Sequence, residues 1–197
     1  MTDLSQPVIF AEQRATNGKK IGFATLNAER SLNALSLDMI RLLDNRLREW
    51  AEDEEIAIVV LQGAGEKAFC AGGDVRKLRS ALVDNDSAGP NPFATTYFTE
   101  EYSLDFLIHT YQKPILLWGS GIVMGGGLGL MAGASHRVVT ESSRIAMPEI
   151  TIGLFPDVGG SWFLNRMPGR VGLFLSLTAA PLNAHDALTV GLSLIHI

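Results

Sequence analysis

The chain has 197 residues, enough for one sizeable domain with its own core, and 47% of them are hydrophobic. A net charge of −5 with no basic stripe argues against a nucleic-acid partner, and no apolar run is long enough to cross a membrane. Cys70 is the only cysteine, which excludes an internal disulfide. The stretch Met1–Pro7 has no basic region ahead of an apolar one, so no secretory signal is read and a cytoplasmic protein is expected.

Val8–Phe10 and Ile21–Leu26 read as strands joined through Asn17-Gly18, a strong hairpin signal. Ser36 is placed to cap a helix whose Leu37, Ile40, Leu43, Leu47 and Trp50 recur at spacings of three and four. The acidic run Glu52–Glu55 reads as a solvated helix end. Ile56–Leu61 is a β-branched apolar run suited to a strand buried on both faces. A helix is expected over Asp74–Leu82, a polar loop over Asp84–Thr96, and a helix over Tyr97–Tyr111. Ile115–Trp118 and Arg137–Thr140 read as further strands, with a short helix over Gly126–Ala134 between them. Helices are then expected over Val158–Asn165, Gly169–Thr178 and Ala184–Gly191, the last capped by Asn183. Strands alternating with helices define an α/β protein, and no linker divides it.

Two glycine-rich turns stand out. One is Ala68-Phe69-Cys70-Ala71-Gly72-Gly73-Asp74, the other Met124-Gly125-Gly126-Gly127-Leu128-Gly129. Glycine admits positive φ and close backbone approach. Two such turns, each leading into a helix, can aim two backbone N–H groups at one oxygen, as an oxyanion hole does. The alternative is that they merely permit tight turns. Carboxylates follow in Pro148-Glu149 and Pro156-Asp157-Val158-Gly159-Gly160. Cys70 lacks a basic partner and reads as a small buried apolar residue, and His109, His136 and His185 lack metal-ligand spacing. No metal site is expected.

Leu32-Asn33-Ala34-Leu35, the two glycine turns and the Pro-Glu…Pro-Asp-Val-Gly-Gly segment together resemble the crotonase (enoyl-CoA hydratase/isomerase) superfamily over residues 7 to 191, and within it the 3-hydroxyisobutyryl-CoA hydrolases. The resemblance implies a fold of ββα units with helices packed around the sheets. It implies an acyl-CoA substrate, no cofactor beyond the coenzyme A of that substrate, and a homo-oligomer as one outcome. It makes the N–H groups of Gly73 and Gly126 the oxyanion donors and Glu149 the catalytic base or nucleophile. Asp157 would contact the hydroxyl end of the substrate or assist with protons, and on its residue type it is equally a helix N-cap. Glu101 is implied as a further substrate contact, with Asn33, Ala34, Leu35, Ala71, Gly72 and Gly125 lining the coenzyme A and thioester path.

One departure bears on the reaction. Hydratases of this superfamily carry a second catalytic glutamate where this chain has Gly129. Thioester hydrolysis needs one carboxylate, a water and an oxyanion hole, so hydrolysis is favoured over hydration or isomerisation. A non-catalytic acyl-CoA-binding subunit is the remaining alternative. The resemblance also implies a longer protein, with a C-terminal part missing here and apolar surface open near Phe163, Leu173 and Phe174. Leu192–Ile197 matches a peptide encoded by one frame of a common transposase sequencing adapter and is read as a non-native tail, leaving residues 1–191 as the domain. An ordinary apolar chain end is the alternative.

Overall fold

The computed structural model describes residues 5–84 and 89–196. Residues 1–4 of the N-terminal stretch and 85–88 of the expected loop lie outside the described residues. The chain opens with β1 (Val8–Arg14) and β2 (Lys20–Leu26), paired antiparallel with Val8 opposite Leu26. The Asn17 side chain accepts from the Lys19 N–H at 3.1 Å inside the turn. Helix α1 (Leu37–Glu52) starts where Ser36 accepts from the Met39 N–H at 3.2 Å. It buries Ile40, Leu43, Leu47 and Trp50, the stripe that the spacing predicts.

From there the chain repeats one pattern: a long strand, a short strand, then helix. β3 (Ile56–Gly63) is followed by β4 (Ala68–Cys70), α2 (Val75–Val83) and α3 (Pro92–His109). β5 (Ile115–Gly119) is followed by β6 (Ile122–Met124) and α4 (Gly126–Gly133). β7 (His136–Val139) is followed by β8 (Arg144–Ala146), α5 (Gly160–Phe163), α6 (Val171–Thr178) and α7 (Ala184–Thr189), and the described chain closes on β9 (Ile195–His196). The long strands form a six-stranded sheet in the order β1-β2-β3-β5-β7-β9, parallel except for the β1–β2 hairpin. The short strands form a separate parallel sheet, β4-β6-β8. This is the ββα construction that the resemblance implies.

The second sheet is absent from the sequence reading, because three-residue strands carry no periodic signal. The loop and one apolar side chain also differ from expectation. Asn91 accepts from the Ala94 N–H at 3.0 Å and starts α3 at Pro92, so the expected loop is shorter at its C-terminal end. Leu173 and Phe174 are more than half exposed, as expected, but Phe163 packs into the core.

The end of the described chain packs closely. Leu192 lies in the core, its carbonyl accepts from the Arg137 guanidinium at 2.5 Å, and the Ser193 hydroxyl donates to the Arg137 carbonyl at 2.9 Å. β9 then adds to β7 with Val138 opposite Ile195. An apolar segment adds to an open sheet edge whatever its origin, since the edge offers unpaired N–H and C=O groups.

One buried side chain ties the first element pair to the small sheet. Asn33 holds φ +54°. Its Oδ1 accepts from the Ala28 N–H at 2.9 Å, and its Nδ2 donates to the Ala64 and Ala68 carbonyls at 3.0 and 2.9 Å. Asn tolerates left-handed backbone better than most residues. Asn33→Ala is therefore expected to cost about 2–4 kcal/mol, because it strands buried polar groups. A shift of the urea midpoint at constant m-value checks this; an unchanged midpoint would show that the loop repacks without it.

Candidate active site

The site is assembled at the C-terminal ends of the three short strands. β4 delivers Ala71, Gly72 and Gly73; β6 delivers Gly125 and Gly126; β8 delivers Met147, Pro148 and Glu149. The two glycine turns touch. A Cβ placed on Gly72, whose φ is +110°, would meet the Met124 carbonyl oxygen at 3.3 Å and the Gly126 nitrogen at 3.8 Å. The Gly73 and Gly126 N–H groups donate to no acceptor among the described residues. Gly126 opens α4, where an N–H has no partner within the helix. Two unspent donors on adjoining turns have the make-up of an oxyanion hole.

The Leu32–Leu35 segment buttresses the first turn. Leu35 pairs with Gly73 as a parallel bridge, and its N–H donates to the Gly72 carbonyl at 2.8 Å. Its carbonyl accepts from the Asp74 N–H at 2.9 Å and from the buried Tyr97 hydroxyl at 2.9 Å. The Ala71 N–H donates to Leu32 at 3.0 Å, while Ala34 stays partly exposed. Asn33 spends its side chain wholly on backbone, so it shapes this wall and offers a ligand no amide.

Glu149 begins a short 3-10 helix after Pro148 and is buried. Its Oε2 has no hydrogen-bond partner among the described residues, and a Cβ on Gly125 would lie 3.0 Å from its Oε1. Burial, with a smaller contribution from Asp157, pushes its carboxyl up to about 7. Glu101 reaches the second turn from α3. Its carboxylate occupies the space that a side chain at Gly126 would need, and Leu35 Cδ1 lies 3.3 Å from where that Cβ would be. Adjacent Glu100 points the other way and forms a bidentate pair with Arg41 at 2.6 and 2.7 Å. Burial, then the charges of Asp105 and Asp157, push Glu101 up to about 8.

Asp157 does not cap the following helix. Gly159 occupies the N-cap of α5, and the Asp157 carboxylate instead accepts from the Tyr102 hydroxyl at 2.7 Å. Val158, next in the chain, has φ +41°, a genuine outlier for a β-branched residue. Its side chain sits over Gly129: a Cβ there would meet Val158 Cβ at 2.5 Å and Asp105 Oδ1 at 3.1 Å. Position 129 is thus closed to a glutamate sterically as well as chemically.

Asp105 is the acid that the sequence reading misses. It lies one turn beyond Glu101 on α3, so an i, i+4 test of that helix would have found it. Both its carboxyl oxygens are buried without a partner among the described residues, and burial followed by the Asp157 charge pushes it up to about 8. A cavity of about 650 Å³ opens beside it, bounded by Tyr102, Asp105, Gly129, Phe155, Asp157 and Trp162. The other candidates stay outside the chemistry. Burial pushes the Cys70 thiol up to about 12, His109 stacks edge-on against Trp162 at 4.8 Å, and no three His, Cys, Asp or Glu among the described residues group as metal ligands.

A match to the enoyl-CoA hydratase/isomerase family model spans residues 21–196, so the chain belongs to that family. It is 49% identical over 88% of its length to the mitochondrial 3-hydroxyisobutyryl-CoA hydrolase of Danio rerio, of which it covers 44%, and 41% identical over 98% of its length to that of Homo sapiens, of which it covers 47%. It therefore spans about half the length of the curated relatives it matches. Among solved structures it superposes with TM-score 0.89 on an enoyl-CoA hydratase from Rhodobacter sphaeroides, at 39% identity over 98% of this chain and 54% of the other. It superposes equally well, at 36% identity and the same coverage, on a carnitinyl-CoA dehydratase from Mycobacterium thermoresistibile. The curated relatives are mitochondrial by name, which overturns the cytoplasmic expectation. That expectation rested on the lack of a secretory signal, whereas organellar import uses a different and detachable N-terminal address that a folded domain does not encode.

Glu101, Asp105 and Glu149 are all raised in the folded chain, so the folded state holds protons that the unfolded state releases. Their contribution to stability is fully present below ordinary carboxylate values, about pH 4, and is lost as pH rises through about 7 to 8. The urea midpoint is expected to fall steadily between about pH 5 and 8, and the Glu101→Gln/Asp105→Asn double variant to flatten that fall. A midpoint that rises over the same range in the wild type would remove the protonated acids from the account.

Proposed function

We propose that the chain carries the catalytic machinery for hydrolysing a short branched 3-hydroxyacyl-CoA thioester, 3-hydroxyisobutyryl-CoA, to the free acid and coenzyme A. The observation that carries the reading is the pairing of one buried carboxyl near neutrality, Glu149, whose Oε2 has no partner among the described residues, with two adjoining glycine turns whose N–H groups are unspent. The names of the curated relatives support the substrate, and through it a place in valine catabolism.

In this reading the thioester oxygen lies between the Gly73 and Gly126 N–H groups, which stabilise its growing charge; one such donor is worth about 3–4 kcal/mol. Glu149 either takes a proton from water as that water adds to the carbonyl carbon, or adds itself to form an anhydride that water then opens. The C–S bond breaks and the thiolate leaves with a proton. Glu101 and Asp157 orient the acyl group and hold protons, and coenzyme A runs along the Asn33–Leu35 and Ala71–Gly72 wall. The reaction so written calls for no cofactor. Exposed Leu173, Phe174 and Leu177 on α6 are compatible with a homo-oligomer.

Hydration of an enoyl-CoA is the second reading, favoured by the likeness to the Rhodobacter sphaeroides enoyl-CoA hydratase. Gly129, closed by Val158, weighs against it. Gly129→Glu is expected to lower stability and to create no hydratase activity; enoyl absorbance lost on adding crotonyl-CoA to that variant would overturn this.

Glu149→Gln in the full-length protein is expected to reduce CoA release by at least about 10³-fold while acyl-CoA binding stays within about threefold. Because the Glu149 carboxyl lies at about 7, wild-type turnover is expected to rise with pH through that value and then level. Wild-type-like turnover in the variant would remove Glu149 from the mechanism, and turnover that falls across neutrality would remove the ionised form.

A further inference from the structure

Asp105 is the one carboxyl at the site whose two oxygens are both buried and unspent among the described residues. Asp157 already accepts from Tyr102, and Glu101 is taken up against the start of α4. A buried polar group with no partner costs folding free energy, so its presence in a cavity wall points to a partner that arrives later. The cavity says what that partner is. Its walls are mainly apolar and aromatic, with Phe106, Phe155 and Trp162 facing Gly129 and Val158. The other polar side chains of its lining are Asp157, Tyr102, Ser161 and His109, the last packed against Trp162, and Glu101 stands one helical turn away on α3. These acids repel an anion. Held largely neutral at pH 7, the Asp105 carboxyl presents one donor and one acceptor, and an alcohol offers the same pair in return.

We propose that Asp105 is a further specificity-determining residue of this site, its carboxyl receiving the hydroxyl of a short 3-hydroxyacyl group lodged in the cavity beside Gly129. The proposal rests on the acyl-CoA hydrolase reading above and deepens it. The absence of a side chain at Gly129 then has two consequences: it withholds the second catalytic carboxylate of a hydratase, and it lets Asp105 Oδ1 stand where such a side chain would be, 3.1 Å from the position of its Cβ. Val158, pressed over Gly129 at positive φ, walls the same space. Discrimination of this kind is strong because the analogue without the hydroxyl leaves buried polar groups unmatched.

The test compares 3-hydroxyisobutyryl-CoA with isobutyryl-CoA on the full-length protein. The readout is the ratio of their kcat/KM values and, separately, the ratio of their Kd values by calorimetry on the Glu149→Gln background. Asp105→Leu replaces an unpaired acid with an apolar group of similar size, so its Tm is expected to hold or rise while both ratios drop by about tenfold or more. Asp105→Asn keeps a donor and an acceptor and is expected to restore most of the discrimination; Asp105→Ala serves if the leucine variant does not fold. Ratios that stay at the wild-type value in the leucine or alanine variant, or a Tm that falls sharply with losses equal on both thioesters, would overturn the proposal and make Asp105 structural or water-bound. If the wild type releases CoA from neither thioester, the hydrolase reading fails instead, and the Kd ratio alone decides Asp105.

Discussion

Everything at the site depends on the close approach of two backbone turns. Gly72–Gly73 and Gly125–Gly126 leave neighbouring strands of the small parallel sheet and come into contact just beyond its edge. Main chain can meet main chain at that distance only where no Cβ intervenes. The consequence is that two N–H groups remain unspent at one place among the described residues. Leu35, Tyr97 and Asn33 hold the first turn from behind, and β8 sets Glu149 against the second. Because the turns are backbone held by sheet and helix, little rearrangement is needed when charge appears between them.

Around this point the protein gathers acids, with His109 beside them in the cavity lining. Glu149, Glu101, Asp105 and Asp157 share the space under α3 and α4, and the nearby cations are occupied elsewhere: Arg41 pairs with Glu100 on the surface, and Arg166 stacks over Trp162 at 3.8 Å. Burial disfavours each ionised form, and the acids disfavour one another. The cost in stability falls where pH rises toward neutrality. The gain is a carboxyl that stands between its two protonation states at the pH where a base must work. The strained Val158 belongs to the same balance, since it shapes the cavity that the acids surround.

The route from family to reaction runs through what occupies one position. The fold is shared with a hydratase and a dehydratase at TM-score 0.89, so architecture alone does not select the chemistry. In the proposed hydrolase reading Gly129 and its covering Val158 do, because they remove one carboxylate and bar its return. Asp105 reaches that position from a different helix, its Oδ1 3.1 Å from where a Cβ on Gly129 would lie.

The sequence by itself determined the elements that run long enough to show a period. The α1 stripe, the β1–β2 hairpin with its Asn17-Gly18 turn, the buried β3 and the caps at Ser36 and Asn183 were all legible, since local sterics and local hydrogen bonds set them. The two glycine turns and Glu149 were legible as motifs, and the one-residue contrast between Glu100 and Glu101 was not. Tertiary structure alone decided that contrast, along with the three-strand sheet, the exchange of Asp157 from helix cap to Tyr102 partner, and the presence of Asp105 in the site. Each of these depends on a contact between segments far apart in the chain. A three-residue strand has no period to read, and a carboxylate's fate turns on which face of a helix another element covers. Short-range patterns specify the pieces; only long-range packing decides which acids lose their water.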